Sequence, residues 1–125
     1  MGCLPLLPNM PVMVCKNFDV SNGIVNGSDG VVESLRYITD DMGRRSATSC
    51  VVTIPDSSDV PFTNLPPHQS VILPKSIPIK IKHRFTGQTI SVKCTQLPLL
   101  PAFCITDYKS QGRTLPKVIV DLESA

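Results

Sequence analysis

The sequence of 125 residues has no tryptophan, few aromatic residues and no C-x-x-C pair among its five cysteines. An odd cysteine count without paired spacing disfavours a disulfide framework and a zinc site. We therefore expect reduced thiols in an intracellular protein, most of them small core residues. The amino terminus has no signal-peptide pattern and no membrane-spanning apolar run. Because the apolar segment Leu4–Leu7 lies at the very start of the sequence, we expect either a fragment of a longer chain or the product of a truncated gene.

Acidic residues are absent between Val60 and Thr106. The same span carries two histidines and five cations: Lys75, Lys80, Lys82, Arg84 and Lys93. A basic span of this kind can hold a polyanion. A solvated strand face explains it equally well, and both interpretations stay open at this point.

Several catalytic patterns are also absent. The sequence holds no G-x-x-x-x-G-K-[ST] phosphate-binding loop, and neither histidine accompanies a serine or cysteine nucleophile. Adjacent carboxylates occur only at Asp40 and Asp41, beside Gly43 and Arg44. This setting is typical of a solvated turn rather than an acid–base pair.

Short apolar runs separated by Asn-Gly and proline-rich turns predict a mainly β fold with little helix. The predicted strands are Met10–Val14, Gly30–Ile38, Cys50–Ile54, Ser70–Leu73, Ile77–Phe85 and Thr89–Cys94. Six of the twelve prolines lie between Pro55 and Pro78, which predicts an extended loop there. Strands and turns at this spacing favour a small antiparallel barrel of the SH3-like type.

The last two strands of that series form a predicted hairpin around Thr86–Gln88. Strict alternation places three isoleucines on one face and Lys80, Lys82 and Arg84 on the other. Pro78 lacks a backbone N–H, so we expect it near a strand start or on a sheet edge.

Residues 102–110 have helical spacing, and Gly112 provides a C-terminal stop. Val118–Leu122 is an apolar strand candidate. Hydroxyl, ammonium and amide groups crowd the helix end at Thr106, Lys109, Ser110 and Gln111. Such groups can bind phosphates without reading bases.

Two patterns at opposite ends of the sequence resemble one enzyme family. The first is Thr106-x-x-Lys109-Ser110-Gln111-Gly112-x-Thr114-Leu115 followed by Val118-x-Val120-Asp121-Leu122; the second is Leu4–Val14, Asn17, Gly23–Ser28, Gly30 and Val32. The first resembles motif V of the Pif-type, RecD-related branch of superfamily-one DNA helicases. The second resembles the segment that leads into that family's accessory barrel. Helicases of fungal Helitron-type transposons have similar sequences. The family usually has histidine where this chain has Tyr108, and an apolar residue where it has Asp107.

The resemblance implies three segments. Residues 1–16 would lead in from a RecA-like α/β domain, 17–96 would form the accessory barrel, and 97–125 would return as the motif V helix and the following strand. It also implies that Thr106, Lys109 and Ser110 face DNA, whereas Gln111 and Gly112 face the ATP cleft. The basic residues Lys80, Lys82 and Arg84 are our further candidates for nucleic-acid contacts.

The resemblance implies ATP and Mg²⁺ as cofactors of the complete helicase, and single-stranded DNA and the missing helicase domains as partners. It also implies a nuclear location and roles in DNA repair, recombination and telomere maintenance. Without a phosphate-binding loop, metal-binding acids and an arginine finger, we expect no ATP hydrolysis or unwinding by these residues alone. Two alternatives stay open, a non-enzymatic nucleic-acid-binding barrel and a protein-interaction module.

Overall fold

Short β-branched segments between turns form seven strands in a computed structural model, which describes residues 4–85, 87–103, 108, 111 and 112. The strands are β1 Pro11–Val14, β2 Asp29–Thr39, β3 Arg45–Thr53, β4 Gln69–Ile72, β5 Lys75–Lys82, β6 Thr89–Gln96 and β7 Leu99–Pro101. All pairings between them are antiparallel. The mainly β prediction with antiparallel sheets is confirmed. The part of the chain that the structure describes holds no helix able to span a lipid bilayer.

Five of the strands form one sheet in the order β4-β3-β2-β1-β7. The central position of β1 follows from its two partners, since Val12 lies opposite Gly30 of β2 on one side and Pro101 of β7 on the other. Strand β7 lies beside β1 although more than 80 residues separate them in the sequence. Next to this pair, Cys15 N–H donates a hydrogen bond to the carbonyl of Pro98 at 2.9 Å. This sheet therefore draws strands from all three predicted segments.

Strands β5 and β6 form a second, two-stranded sheet and are hydrogen-bonded to each other. The hairpin was predicted correctly, and Pro78 lies within β5, which is an edge strand as expected. Of the predicted helix over 102–110, the structure describes Ala102, Phe103 and Tyr108. The predicted strand Val118–Leu122 lies outside the described residues.

The core lies on one face of the larger sheet. Alternation along β1 directs Val12 and Val14 into it, and they pack with Ile24, Val32, Cys50, Val52, Ile54, Ile72, Leu97 and Leu99. Cys50 is a small core residue, as expected, and burial raises the pKa of its thiol to about 11. Met13 is also buried, although its side chain points to the opposite face of the sheet. Strand β1 is thus covered on both faces.

Strands β3 and β7 differ most from the sequence prediction. Strand β3 begins at Arg45, five residues before the predicted start at Cys50, because the added residues lie beside the long second half of β2. Strand β7 was not predicted, since prolines flank its two leucines and its partner β1 is distant in sequence. Register shifts lie between Val32 and Ser34 and between Arg36 and Tyr37.

The predicted turns adopt the conformations their residues favour. Asn9 has φ of 63°, and Gly23 and Gly27 have φ of 78° and 96°. Asp40 accepts hydrogen bonds from Met42 N–H at 3.0 Å and from Arg44 N–H at 2.9 Å. The bonds from Arg44 contribute most to lowering the pKa of Asp40. The Asp40–Asp41 pair is therefore an exposed turn, as predicted.

Candidate nucleic-acid interface

The polar face of the β5–β6 hairpin presents rows of lysine ammonium groups and serine and threonine hydroxyls. Directly opposed residues share a face of an antiparallel sheet, and the register places Lys80 opposite Ser91 and Lys82 opposite Thr89. Lys93 lies opposite Pro78 on the same face. The structure thus brings Lys80 and Lys82 together, as predicted. It adds Lys93, which sequence reasoning left out of the site although the alternation of β6 points to it.

Two hydroxyls extend this face toward the base of the hairpin. Ser76 and Thr95 are directly opposed, and their hydroxyl oxygens lie 2.6 Å apart in a hydrogen bond. Every row of the face therefore offers at least one cation or hydroxyl, and the span contains no acid. Ammonium and hydroxyl donors suit phosphate oxygens, to which they bind without reading bases.

Arg84 has a different position from the one predicted. Strand β5 ends at Lys82, and the chain turns at His83, whose carbonyl accepts a hydrogen bond from Gly87 N–H at 3.0 Å. Arg84 is therefore an exposed residue of the turn, next to Phe85, and not part of the strand face. The prediction extended the strand too far because alternation alone does not locate the turn.

The opposite face of the hairpin is apolar but solvent-exposed. Ile77, Ile79, Ile81, Ile90 and Val92 are each between 39% and 51% exposed. At the base of the hairpin, Ile77, Ile79 and Cys94 line a cavity of about 230 Å³ together with Leu97 and Pro98 of the adjoining segment. The hairpin thus meets the rest of the molecule mainly at its base.

A larger cavity, of about 740 Å³, lies on the face of the main sheet opposite the core. Met13 forms its floor, and the loop from Val25 to Asp29 forms one wall. Tyr108, Gln111 and Gly112 form another wall. The two sequence patterns that resemble the helicase family, at opposite ends of the chain, therefore meet around one cavity.

Hydrogen bonds from the resembling residues themselves shape the first wall. The Asn17 side-chain oxygen accepts from Asn26 N–H at 2.9 Å. The Ser28 hydroxyl accepts from Val25 N–H at 3.1 Å and donates to the Gly23 carbonyl at 3.3 Å. Asn17 and Ser28 thus hold the loop in shape, which is a structural role that the sequence pattern did not reveal.

A neighbouring turn is fixed by Asp19. Its carboxylate accepts from Asn22 Nδ2 at 2.6 Å and from the Ser21 hydroxyl at 2.7 Å. These bonds, with that from Asn22 the largest contribution, lower the pKa of Asp19. A β-bridge between Asp19 and Ile24 closes the turn, and the chain continues from Ile24 into the loop that lines the cavity.

The second wall contains part of the predicted motif V site. Gln111 and Gly112 are exposed at the cavity, and Gly112 has φ of 77°, a left-handed backbone conformation that favours glycine. Thr106, Lys109 and Ser110 lie outside the described residues.

The charge of the cavity is uneven. Asp29 and Asp56 line it on the side of the loop, and both are exposed. Carboxylates repel phosphate, so a phosphate group is disfavoured beside them and favoured near the cations elsewhere in the chain. No group of three or more potential metal ligands occurs among the described residues.

Replacing Ser28 with alanine is expected to lower the free energy of unfolding by about 1 kcal/mol, because two hydrogen bonds of the loop are lost. Denaturant unfolding monitored by circular dichroism measures the change. Ser34→Ala on the exposed part of β2 is the control and should change stability by less than about 0.5 kcal/mol. Equal effects of the two substitutions would contradict the role given to Ser28.

No protein-family model matches the chain, and no curated protein matches it. Among solved structures, it is similar to the Pif1 helicase from Bacteroides, solved in complex with ADP-AlF3 and single-stranded DNA. The TM-score is 0.57 at 24% sequence identity, and the match covers 94% of this chain but 24% of the helicase chain. The fold of this chain is therefore similar to about a quarter of a Pif1 helicase.

Proposed function

We propose that this chain is part of a Pif-like ATP-dependent DNA helicase, in which it contributes contacts to single-stranded DNA and a wall of the ATP cleft. One observation carries the proposal. Two separate segments that resemble the same family, Asn26–Ser28 and Gln111–Gly112, line one cavity. The similarity of fold to part of a Pif1 helicase supports the same conclusion.

The proposed DNA contacts have two sources. Thr106, Lys109 and Ser110 supply hydroxyls and an ammonium group from the motif V segment. Lys80, Lys82 and Arg84 supply cations from the hairpin and its turn, and Lys93 shares the face of the first two. Both sets favour binding to the sugar–phosphate backbone, whose contacts do not read the base sequence.

The proposed nucleotide-cleft residues are Gln111 and Gly112. ATP bound by the complete helicase would supply the phosphoryl group, and Mg²⁺ would neutralise its charge. The residues of this chain fit a polar side wall of such a cleft. The residues of this chain do not fit the part of the cleft that holds phosphates. Asp29 and Asp56 line the cavity and would repel phosphate, and the sequence has no phosphate-binding loop. Other segments of the helicase would hold the phosphates and the metal.

Fluorescence anisotropy of a labelled oligothymidine tests the DNA contacts. Replacing Lys80 and Lys82 with glutamine should weaken binding about tenfold at low salt. It should also reduce the steepness with which the logarithm of the binding constant falls with the logarithm of salt concentration. The expected reduction is about 1.4, because each of the two lost phosphate contacts contributes about 0.7. Arg36→Gln with Arg45→Gln removes the same charge from the β2–β3 hairpin and is the matched control. Equal loss in both double variants, or binding that does not respond to salt, would contradict the proposal.

A non-enzymatic nucleic-acid-binding module is the second candidate, favoured by the basic face of the hairpin. Both candidates use Lys80, Lys82, Arg84 and the Lys109 region, so the neighbouring coding sequence distinguishes them. The helicase proposal predicts a phosphate-binding loop upstream and an arginine-containing motif downstream. Absence of both from the surrounding genome would contradict it and favour the second candidate. A nuclear location, a Helitron-type origin and roles in repair, recombination or telomere maintenance stay predictions.

A further inference from the structure

The two edges of the β5–β6 hairpin differ in their backbone groups. His83 N–H donates to the Gln88 carbonyl at 2.8 Å, so this pair is hydrogen-bonded. Bonded and non-bonded pairs alternate along an antiparallel ladder. In the observed register, the bonded pairs are then Ile81–Ile90, Ile79–Val92 and Ile77–Cys94. The residues between them direct their N–H and C=O groups away from the partner strand.

The outer edge of β5 is blocked against further pairing. Its outward-directed residues include Pro78, which has no N–H, and Lys80 and Lys82. Proline and lysine are the residues by which edge strands avoid association. The outer edge of β6 has no proline, and its outward-directed residues are Thr89, Ser91, Lys93 and Thr95. Among the described residues, no strand pairs with that edge.

We propose that β6 pairs antiparallel with β6 of a second copy of this chain, so that two hairpins form one four-stranded sheet. An isolated two-stranded hairpin is marginally stable in water, and independent stability requires three or more strands with an apolar face or packing against a helix. The contact is isologous, since the same edge serves in both copies. The basic faces of the two hairpins then lie side by side.

Symmetry and hydrogen bonding select the register. The outward-directed residues of β6 all have odd numbers, and their backbone groups can bond only to the outward-directed groups of the other copy. Registers that place an odd-numbered residue opposite an even-numbered one are therefore excluded. A register centred on Lys93 sets two lysines directly opposite each other, which is destabilising. A register centred on Val92 pairs seven of the eight residues of β6 and sets Lys93 opposite Ser91.

In that register the apolar faces of the two β6 strands lie on the same side of the joint sheet, and so do their polar faces. Val92 lies on the two-fold axis against its own copy, and Ile90 lies opposite Cys94 on the apolar face. On the polar face, Thr89 lies opposite Thr95. Each side chain therefore lies directly opposite one of like polarity, and no charge lies directly opposite a like charge. Val92, 45% exposed in the single chain, gains a neighbour on its free side.

Sedimentation equilibrium of the full chain tests the proposal across about a hundredfold range of concentration. The mass should rise from 13.6 kDa toward twice that value. Lys93→Pro removes an outward N–H from β6 and should weaken the dimer at least about tenfold, the equivalent of one or two hydrogen bonds. Lys80→Pro removes the same charge and an outward N–H from β5, so its dimer should match wild type. A wild-type chain that stays monomeric, or a Lys93→Pro dimer as tight as wild type, would overturn the proposal.

Cross-linking decides the case in which both proline variants fail to dimerise. Val92 pairs with itself at a non-hydrogen-bonded position, where Cα atoms lie about 4.5 Å apart, within the range of a disulfide. Val92→Cys should therefore form a covalent dimer with oxidised glutathione. Ile79→Cys, on the same face of β5, should form no more covalent dimer than wild type. Equal cross-linking of the two variants would overturn the proposal.

Discussion

Replacing Ile54 with alanine is expected to lower the free energy of unfolding by about 2–5 kcal/mol. Ile54 is fully buried directly after β3, within the core of the main sheet. Its backbone is fixed on both sides, since its N–H donates to the His68 carbonyl at 2.8 Å and its carbonyl accepts from the Ser57 hydroxyl at 2.7 Å. The backbone therefore cannot move to fill the cavity that alanine leaves. Urea unfolding measures the loss.

The matched control is Ile81→Ala on the apolar face of the hairpin. Ile81 is 51% exposed, so the same deletion removes less buried surface and should cost less than about 1 kcal/mol. A cost at Ile81 equal to that at Ile54 would show that the hairpin face is buried in solution. That result would contradict the solvent exposure of the apolar hairpin face.

Replacing Gly30 with alanine is expected to lower the free energy of unfolding by about 3 kcal/mol. A Cβ atom at Gly30 would lie 2.6 Å from Val52 Cγ1 and 2.7 Å from the Thr53 carbonyl oxygen. The valine can shift, but the carbonyl belongs to the ladder between β2 and β3 and cannot shift without breaking it. Thermal unfolding measures the loss.

A double-mutant cycle with Val52→Ala isolates the steric cause. Removing the Val52 methyl groups relieves one of the two close contacts, so the double variant should be more stable than the sum of the single losses predicts, by more than about 0.5 kcal/mol. Additive losses would show that crowding against Val52 is not the cause. Ser34→Ala, at an exposed position of the same strand, serves as control and should change stability by less than about 0.5 kcal/mol.

The sequence predicts strands best where local pattern and burial agree. The apolar run of β1, the Asn-Gly turns around Ile24 and the alternation of β5 and β6 all locate elements that the structure contains. Gly30 is part of the helicase-like pattern, but only the three-dimensional structure shows why this position requires glycine. It permits β2 to approach Val52 and Thr53 closely.

Elements that depend on distant partners are not visible in local pattern. Strand β7 exists because Leu99–Pro101 returns beside β1, and nothing in its proline-flanked sequence indicates a strand. The separation of the hairpin from the main sheet is also a tertiary effect. The isoleucines of β5 alternate as core residues would, yet they remain exposed because no described strand covers them.

The candidate site was predicted in part. Composition located the basic hairpin, and register added Lys93 and removed Arg84 from the strand face. The resemblance identified Gln111 and Gly112, but the meeting of these residues with the Asn26–Asp29 loop requires the fold. The hydrogen bonds of Asn17 and Ser28 give the loop residues a structural role that no sequence motif states.

Titration of the isotopically labelled chain with a short oligothymidine, followed by amide NMR, tests the proposed function most directly. We expect shifts in two groups at once, the basic face of the hairpin around Lys80, Lys82 and Lys93, and the segment from Thr106 to Gly112. Both should weaken as salt rises. No shift at Thr106–Gly112 at saturating oligothymidine would contradict the account.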